Sequence, residues 1–102
     1  MSTYNEFSIQ EVITDLSQKR IIIKTNFKVD PDSVLPTNIA FYNYDETTLE
    51  KYQLITDNKI IYVILDDYPK NGARYYLKIK DLRDALGLVI CNLVFKSFSK
   101  TI

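Results

Sequence analysis

The fold is decided by the stretch Tyr75-Tyr76-Leu77-Lys78-Ile79-Lys80-Asp81-Leu82-Arg83-Asp84-Ala85-Leu86-Gly87. Side chains alternate over residues 75–80, with Tyr75, Leu77 and Ile79 on one side, which is the two-residue period of a β-strand with one buried face. The strand then runs into a corner that ends at Gly87. We expect one helical turn over residues 81–86, because an aspartate at its start and a glycine after it favour that conformation.

The clearest strand elsewhere in the chain spans Arg20–Asp30. Its odd-numbered side chains from residue 21 to residue 29 share one face, and three of the even-numbered ones are polar. Pro31 and Pro36 bracket the link that follows, and neither residue can donate a hydrogen bond to a central ladder. We therefore expect the strand to end there and the link to cross between two sheets, with Val34 in the core.

Short strands separated by turn residues recur along the whole chain. The predicted strands are Phe7–Thr14, Arg20–Asp30, Asn38–Tyr44, Leu49–Ile55, Ile60–Leu65, Ala73–Lys80 and Leu88–Phe98. The fourth is polar and is expected at an edge, whereas the fifth is apolar on both faces and is expected at a centre. Residues 56–59 predict a hairpin turn between these two strands.

In the first strand, Phe7 and Ile9 are expected to face inward, together with either Val12 or Ile13. Seven strands with almost no helix indicate an all-β, antiparallel sandwich of two sheets. A small barrel is the alternative architecture. The length of 102 residues indicates a single domain over residues 1–102.

Composition limits the classes of function. Thirteen basic residues balance thirteen acidic ones, and we expect no nucleic-acid partner because phosphate binding needs a cationic surface. Histidine is absent, which removes the usual general base and the commonest metal ligand. Cys91 is the single cysteine and is expected to be a small buried hydrophobe. We predict no enzymatic activity and no cofactor.

The N-terminal segment over residues 1–7 has neither the basic region nor the apolar core of a secretion signal. The apolar runs are far shorter than a membrane span. We expect a protein that is made in the cytoplasm without a signal peptide and is not inserted into a membrane. It would reach a virion or a cell surface as part of a larger assembly.

Three segments of the chain resemble the bacterial immunoglobulin-like (Ig-like) domains of S-layer and other surface proteins, the SbsA-like group. They are the second strand with its corner Val29-Asp30-x-x-Ser33-Val34, the strand Lys59–Ile64, and residues 72–87. The sequence departs from the family pattern at Leu88, where asparagine is frequent, and it lacks the proline-rich lead-in. The resemblance implies a seven-stranded antiparallel Ig-like or fibronectin-like β-sandwich that carries contacts rather than chemistry.

Within this resemblance, three residues are expected to have structural roles. The ring of Tyr75 would fill one end of the sandwich while its hydroxyl bonds to the backbone at the corner. Asp84 would accept backbone N–H groups within the loop after the sixth strand. Gly87 would allow a backbone turn that a β-carbon hinders.

The sequence contains eight tyrosines and no tryptophan, and tyrosine suits contact surfaces because it offers area and a hydrogen bond at low entropic cost. Tyr42, Tyr44 and Tyr76 are the candidate contact residues. A protein partner or a second copy fits such a surface, and so does a carbohydrate stacked on the rings. The neighbouring acids Asp66 and Asp67 are expected to be a solvated corner rather than a calcium site or a glycosidase pair.

The leading hypothesis is a non-catalytic Ig-like module that acts in virion or cell-surface assembly or adhesion through protein–protein contacts. Phage virion proteins assemble inside the host without secretion signals, which makes a phage structural protein a refinement of this hypothesis. The alternative is a carbohydrate-binding module that uses Tyr42, Tyr44 or Tyr76 as its platform.

Overall fold

The computed structural model describes residues 6–42, 51–66, 74–90 and 94–99. Seven strands lie in these ranges: β1 (Ile9–Asp15), β2 (Arg20–Thr25), β3 (Ile39–Tyr42), β4 (Tyr52–Asp57), β5 (Ile60–Leu65), β6 (Arg74–Ile79) and β7 (Val94–Ser99). Two short 3₁₀ turns, Leu16–Gln18 and Pro31–Ser33, lie in the links after β1 and β2. Over the described ranges, no helix has the length and apolar character needed to cross a membrane.

The strands form two separate antiparallel sheets. One has the order β1-β2-β5-β4 and the other the order β3-β6-β7, which is the strand arrangement of an Ig constant-type sandwich. The predicted β-sandwich is therefore confirmed, and the alternative of a single barrel is wrong because the strands divide between two sheets. The expected central position of β5 and edge position of β4 are also confirmed.

The core lies between the inner faces of the two sheets, where alternate side chains of the strands meet. In β2 and β5 the burial alternates strictly, and Ile21, Ile23, Ile61 and Val63 are fully buried. The other large core side chains are Phe7, Val29, Ile39, Phe41, Leu65, Tyr75, Leu77, Ile79, Leu82 and Ile90. The predicted inward sets of the second and sixth strands are thus confirmed, except that Phe27 is only half-buried.

A register shift in β1 determines which of its side chains face the core. The pairing with β2 slips between Ile9 and Glu11, and such a bulge reverses the in–out alternation of the strand. Ile9 and Val12 consequently both pack against the core. Ile13 lies across from Ile22 on the other face of the sheet.

A hairpin turn joins β4 to β5 as predicted, but it consists of Asn58 and Lys59 rather than residues 56–59, because Thr56 and Asp57 still pair with β5. Asn58 has a φ of 57°, a left-handed conformation that asparagine tolerates better than most residues. The predicted crossing after β2 is also confirmed, since β2 and β3 belong to different sheets. Val34 is half-buried in this link and packs against the core.

The largest differences between the predicted elements and the structure are in the second strand, the seventh strand and the helical turn, and each has a local cause. The strand predicted to reach Asp30 ends at Thr25, because the backbone N–H groups of Thr25 and Val29 bond to the β4–β5 turn instead. The seventh strand begins at Val94 rather than at Leu88. Residues 88–90 turn back on residues 82–84, with which they share backbone hydrogen bonds.

The helical turn predicted over residues 81–86 is wrong. Asp81 has a φ of 54°, which is incompatible with a right-handed helix at that position. Arg83 and Asp84 form isolated β-bridges to Val89 and Val29, so their backbone groups pair across the chain rather than along a helix. The predictions for Tyr44, Asp67 and Cys91 lie outside the described residues.

Candidate contact surfaces

Two of the three candidate contact tyrosines lie side by side on the outer face of the three-stranded sheet. Tyr42 on β3 is directly opposite Tyr76 on β6, and directly opposite side chains of neighbouring antiparallel strands are close enough to interact. Both side chains are half-buried. Tyr44, the third candidate, lies outside the described residues.

A polar and basic surface surrounds this tyrosine pair. Ala40 lies opposite Lys78 in the neighbouring register position, and Lys78 is half-buried while Lys80 is exposed. A shallow depression beside the pair is lined by Pro36, Thr37, Ala40, Tyr42, Lys78 and Lys80. The tyrosine rings offer aromatic contact area and the lysine ammonium groups offer hydrogen-bond donors. Such a surface is suited to binding a polar partner rather than to catalysis.

The three residues expected to have structural roles lie near opposite ends of β6. Tyr75 is near the start of β6, whereas Asp84 and Gly87 follow its end, so the length of the strand separates them. Tyr75 is 5% exposed and its ring stacks on Phe41, with 5.4 Å between the ring centroids and 8° between their planes. The ring of Tyr75 therefore belongs to the core packing between β3 and β6.

Tyr52 connects the two sheets, a role that the sequence did not reveal. It lies on β4 of the four-stranded sheet, and its hydroxyl donates a hydrogen bond to the Ile39 carbonyl on β3 at 2.8 Å. Its ring meets Phe41 edge to face, with centroids 6.5 Å apart. Burial raises the pKa of Tyr52 above its ordinary value of 10.0. Backbone hydrogen bonding from Phe41 acts in the opposite direction, and the nearby Tyr42 adds to the rise.

The link after β2 and the link after β6 are held against each other at one end of the sandwich. The Asp30 amide donates to the Arg83 carbonyl at 2.9 Å, and the Ala85 amide donates to the Lys28 carbonyl at 2.8 Å. The buried Ser33 hydroxyl donates to the Asp30 carbonyl at 2.8 Å and accepts from the Arg83 amide at 3.0 Å. Two of the three segments that carry the resemblance are thus joined by hydrogen bonds at this end.

The carboxylate of Asp84 fixes the loop after β6. Asp84 is 2% exposed, and its Oδ1 accepts the backbone N–H groups of Leu86 at 2.9 Å and of Leu88 at 2.8 Å. Gly87 has a φ of +92° with no heavy atom within 4 Å of the position that a β-carbon would occupy. Its role therefore depends on backbone conformation alone and not on close packing.

Apolar side chains are exposed at this same end of the molecule. We name the following four residues the apolar end: Leu35 at 46% exposure, Leu86 at 90%, Leu88 at 47% and Val89 at 55%. Leu86 and Leu88 also line an open groove beside Phe27. The sequence reasoning missed this surface because it assigned Leu88 and Val89 to a strand. The available clue was Leu86, which lies between Asp84 and Gly87 in a turn. The alternation of the neighbouring strand does not extend to this position, so no pattern predicted that its side chain is buried.

Among the residues that the structure describes, no side chains are placed to form a cation site. No group of three or more acidic, cysteine or histidine side chains there is arranged to hold a metal ion. Asp66 is exposed at the end of β5.

Comparison with known proteins shows similarity of fold. No protein-family model matches the sequence, and no curated protein matches it. Solved structures do match: domains 1–6 of the surface layer protein SbsC, the N-terminal part of the bacterial S-layer protein SbsC, and a further structure of this S-layer protein. In each, the TM-score is 0.72 and the identity is 16% over 94% of this chain.

The chain spans 24% of the length of the N-terminal part of SbsC. It spans only 14% of the length of each of the other two SbsC structures. The likeness supports an S-layer-like domain fold and is not specific to the SbsA-like group. At this level of identity, the chain is similar to one module of a much longer surface protein in its fold.

Proposed function

We propose that this chain is a non-catalytic structural module that works in a surface assembly through protein–protein contacts. The observation that carries the proposal is the apolar end, where Leu86 is 90% exposed. Contiguous exposed apolar patches on folded proteins mark contact sites, whereas apolar residues scattered singly do not, and Leu86 and Leu88 line one groove. Here the loop that presents Leu86 is fixed by the Asp84 carboxylate.

The construction of the loop supports a contact role. Backbone hydrogen bonds from Asp30 and Ala85 tie the link after β2 to the link after β6, so the leucines are presented by ordered backbone. A surface that is ordered before binding loses less conformational entropy when a partner covers it. The apolar end is therefore suited to contact with another protein domain.

The setting of this assembly is the next part of the proposal. The fold likeness to domains of an S-layer protein supports the cell surface, and a phage virion is the other setting in which such a module would serve assembly or adhesion. The neighbouring genes distinguish the two settings. Capsid or tail genes beside this one would indicate a virion, and genes for other surface proteins would indicate a cell envelope.

Site-specific photo-cross-linking in the source cells tests the contact role. A photoreactive phenylalanine analogue replaces Leu86 in one variant and Gln18 in a control variant. Gln18 is exposed on the 3₁₀ turn at the opposite end of the sandwich. We expect a cross-linked protein of the surface or virion fraction from position 86 and a much weaker product from position 18. A chain that fractionates as a free protein and gives no product from position 86 would overturn the proposal.

The Tyr42–Tyr76 pair favours carbohydrate binding as a second candidate function. Adjacent tyrosine rings with lysines beside them form a platform on which a sugar ring can stack. A glycan array probed with the unmodified chain and with Tyr42→Ala and Tyr76→Ala tests this function. Tyr62→Ala, on the outer face of the other sheet, is the matched control. Binding that both platform variants lose and the control keeps would support it, whereas an array without binding would exclude it for the glycans tested.

A further inference from the structure

A continuous apolar row crosses the outer face of the four-stranded sheet. Ile13 on β1 is opposite Ile22 on β2, Ile22 is opposite Tyr62 on β5, and Tyr62 is opposite Ile55 on β4. Directly opposite residues of antiparallel strands share a face. The row therefore runs across all four strands on the side away from the core.

Two further isoleucines of β5 extend this row along the strand. Together the six residues form what we call the isoleucine face: Ile13, Ile22, Ile55, Ile60, Tyr62 and Ile64. Ile55 is 50% exposed and the other five are half-buried. A sheet with one face in water ordinarily places polar side chains there, so an apolar outer face indicates that something covers it.

Charged groups flank the row and are already paired within the chain. Arg20 contacts Asp15 at 3.2 Å on one side, and Lys24 contacts Glu11 at 3.8 Å on the other. The formal net charge of the whole chain is zero. A second copy can therefore approach this face without long-range repulsion, and the two basic side chains at its borders already have acidic partners within the chain.

The area of the isoleucine face limits how stable a dimer through it can be. Four strands about 4.8 Å apart and three rows about 6.8 Å apart give a footprint of about 400 Å² per copy. Two such footprints fall below the roughly 1,200 Å² of a standard stable interface, in the range of transient contacts. A dimer through this face is therefore expected to be weak and to form at high local concentration.

We propose that the isoleucine face is a self-association surface, which packs against the same face of a second copy about a two-fold axis parallel to the strands. This axis places Ile13 of one copy against Ile55 of the other, and Ile22 against Tyr62. It keeps the strands of the two copies aligned, which is one of the two preferred packings of facing sheets. The inference deepens the proposed function by naming a surface for self-assembly, and it uses a different face from the apolar end.

The charges select this axis over the perpendicular one. With the axis parallel to the strands, Arg20 lies over Ile64 and Lys24 lies over Ile60, so the aliphatic parts of the basic side chains cover isoleucines. An axis perpendicular to the strands places Arg20 over Lys24, which brings like charges together. The parallel axis brings acidic side chains together at two symmetry-related places, with Glu11 of each copy over Asp57 of the other, and Glu11 is paired with Lys24.

Analytical ultracentrifugation of the full chain over a wide concentration range tests the self-association. We expect a monomer–dimer equilibrium that Ile55→Glu weakens at least tenfold. The control is Leu86→Glu, an apolar-to-acid change at the most exposed leucine of the apolar end, which should leave the equilibrium unchanged. Circular dichroism confirms that both variants are folded.

Two results would overturn the proposal. The first is a chain that stays monomeric up to millimolar concentration, which would assign the isoleucine face to a different partner. The second is a dimer that Leu86→Glu disrupts and Ile55→Glu does not, which would move self-association to the apolar end. The second result does not contradict the proposed contact role of the apolar end. Absence of a cross-linked product from position 86 does not contradict self-association through the isoleucine face, so failure of one proposal can be distinguished from failure of the other.

Thiol cross-linking tests the axis. In a Cys91→Ser background, chains with Ile13→Cys are mixed with chains with Ile55→Cys and treated with a short bismaleimide. The parallel axis predicts mixed 13–55 products in excess over products of either variant alone. A predominance of 13–13 and 55–55 products would overturn this axis.

Discussion

The Ser33 hydroxyl accepts a hydrogen bond from the Arg83 backbone amide at 3.0 Å, although fifty positions of chain separate the two residues. Ser33 is 1% exposed, and the same hydroxyl donates to the Asp30 carbonyl at 2.8 Å. One buried side chain thus joins the link that leaves the second strand to the loop that follows the sixth. We therefore expect the Ser33 hydroxyl to contribute to the free energy of unfolding of the protein.

Replacing Ser33 with alanine is expected to destabilise the protein by about 2 kcal/mol, because the Arg83 amide loses its partner where little water can replace it. Urea unfolding followed by circular dichroism measures the change in the free energy of unfolding. Ser17→Ala is the matched control, since the Ser17 hydroxyl bonds to Asp15 at an exposed site and its loss should cost less than about 0.5 kcal/mol. Equal effects of the two substitutions would contradict the assigned role of Ser33.

Asp84→Ala is expected to cost about 3 kcal/mol, because two backbone N–H groups lose a charged acceptor. Asp84→Asn should cost less, since the amide oxygen can still accept those N–H groups. Asp32→Ala, at an exposed position in the other link, is the control and should be close to neutral. If Asp84→Ala also proved neutral in urea unfolding, the carboxylate would not be what holds the loop.

Gly87→Ala is expected to cost about 1–2 kcal/mol, from the positive φ alone. Because the space around the missing β-carbon is open, the penalty should not grow with the size of the side chain. Gly87→Asn should therefore be less destabilising than Gly87→Ala, since asparagine tolerates positive φ better. Thermal unfolding of the two variants gives the comparison, and the reverse order would show that the site is limited by space.

Tyr52→Phe removes the hydroxyl that connects β4 to the Ile39 carbonyl, and a loss of about 1 kcal/mol is expected near neutral pH. The pH dependence is more specific. Because burial raises the pKa of Tyr52 in the folded state, the unfolded chain releases this proton first as the pH increases. The folded state is therefore destabilised as the pH rises above 10.0, the ordinary pKa.

Urea unfolding of the wild type and of Tyr52→Phe from about pH 8 to about pH 11, a range that brackets the ordinary tyrosine pKa, measures this component as the difference between the two stability curves. Tyr62→Phe, on the outer face of the neighbouring strand, is the control. The Tyr52 contribution should shrink as the pH rises. A difference that stays constant across the range would contradict the raised pKa.

The sequence predicted the bounds and the buried side chains of a strand well where its apolar pattern was strong and turn residues flanked it. The fifth strand was predicted with its observed bounds, Ile60–Leu65, because apolar residues fill it and turn residues stop it on both sides. The buried faces of the second and sixth strands also followed from alternation, since Ile21 and Leu77 each lie in a run with an inward side chain at every second position. Boundaries next to the links were less accurate.

The candidate contact surface was only partly accessible to this reasoning. Tyr42 and Tyr76 were proposed from residue type and from their place on outward faces. That they lie opposite each other depends on the register of β3 against β6, which no local pattern specifies. Tyr52 was missed for the same reason, since its acceptor on β3 belongs to the other sheet.

By itself, the sequence determined that the chain is all-β with short strands that bury alternate side chains, because a two-residue period of apolar side chains is the period of a half-buried strand. The division of the strands between two sheets, rather than one barrel, was decided by the tertiary structure. Only the tertiary structure also decided that residues 81–86 form a loop instead of a helical turn, that the Leu86 side chain is exposed to water, and that Ile13, Ile22, Tyr62 and Ile55 form one row. The physical reason is that burial periodicity is a local property of the chain, whereas strand register and contacts between links join residues far apart in sequence and depend on the whole packed molecule.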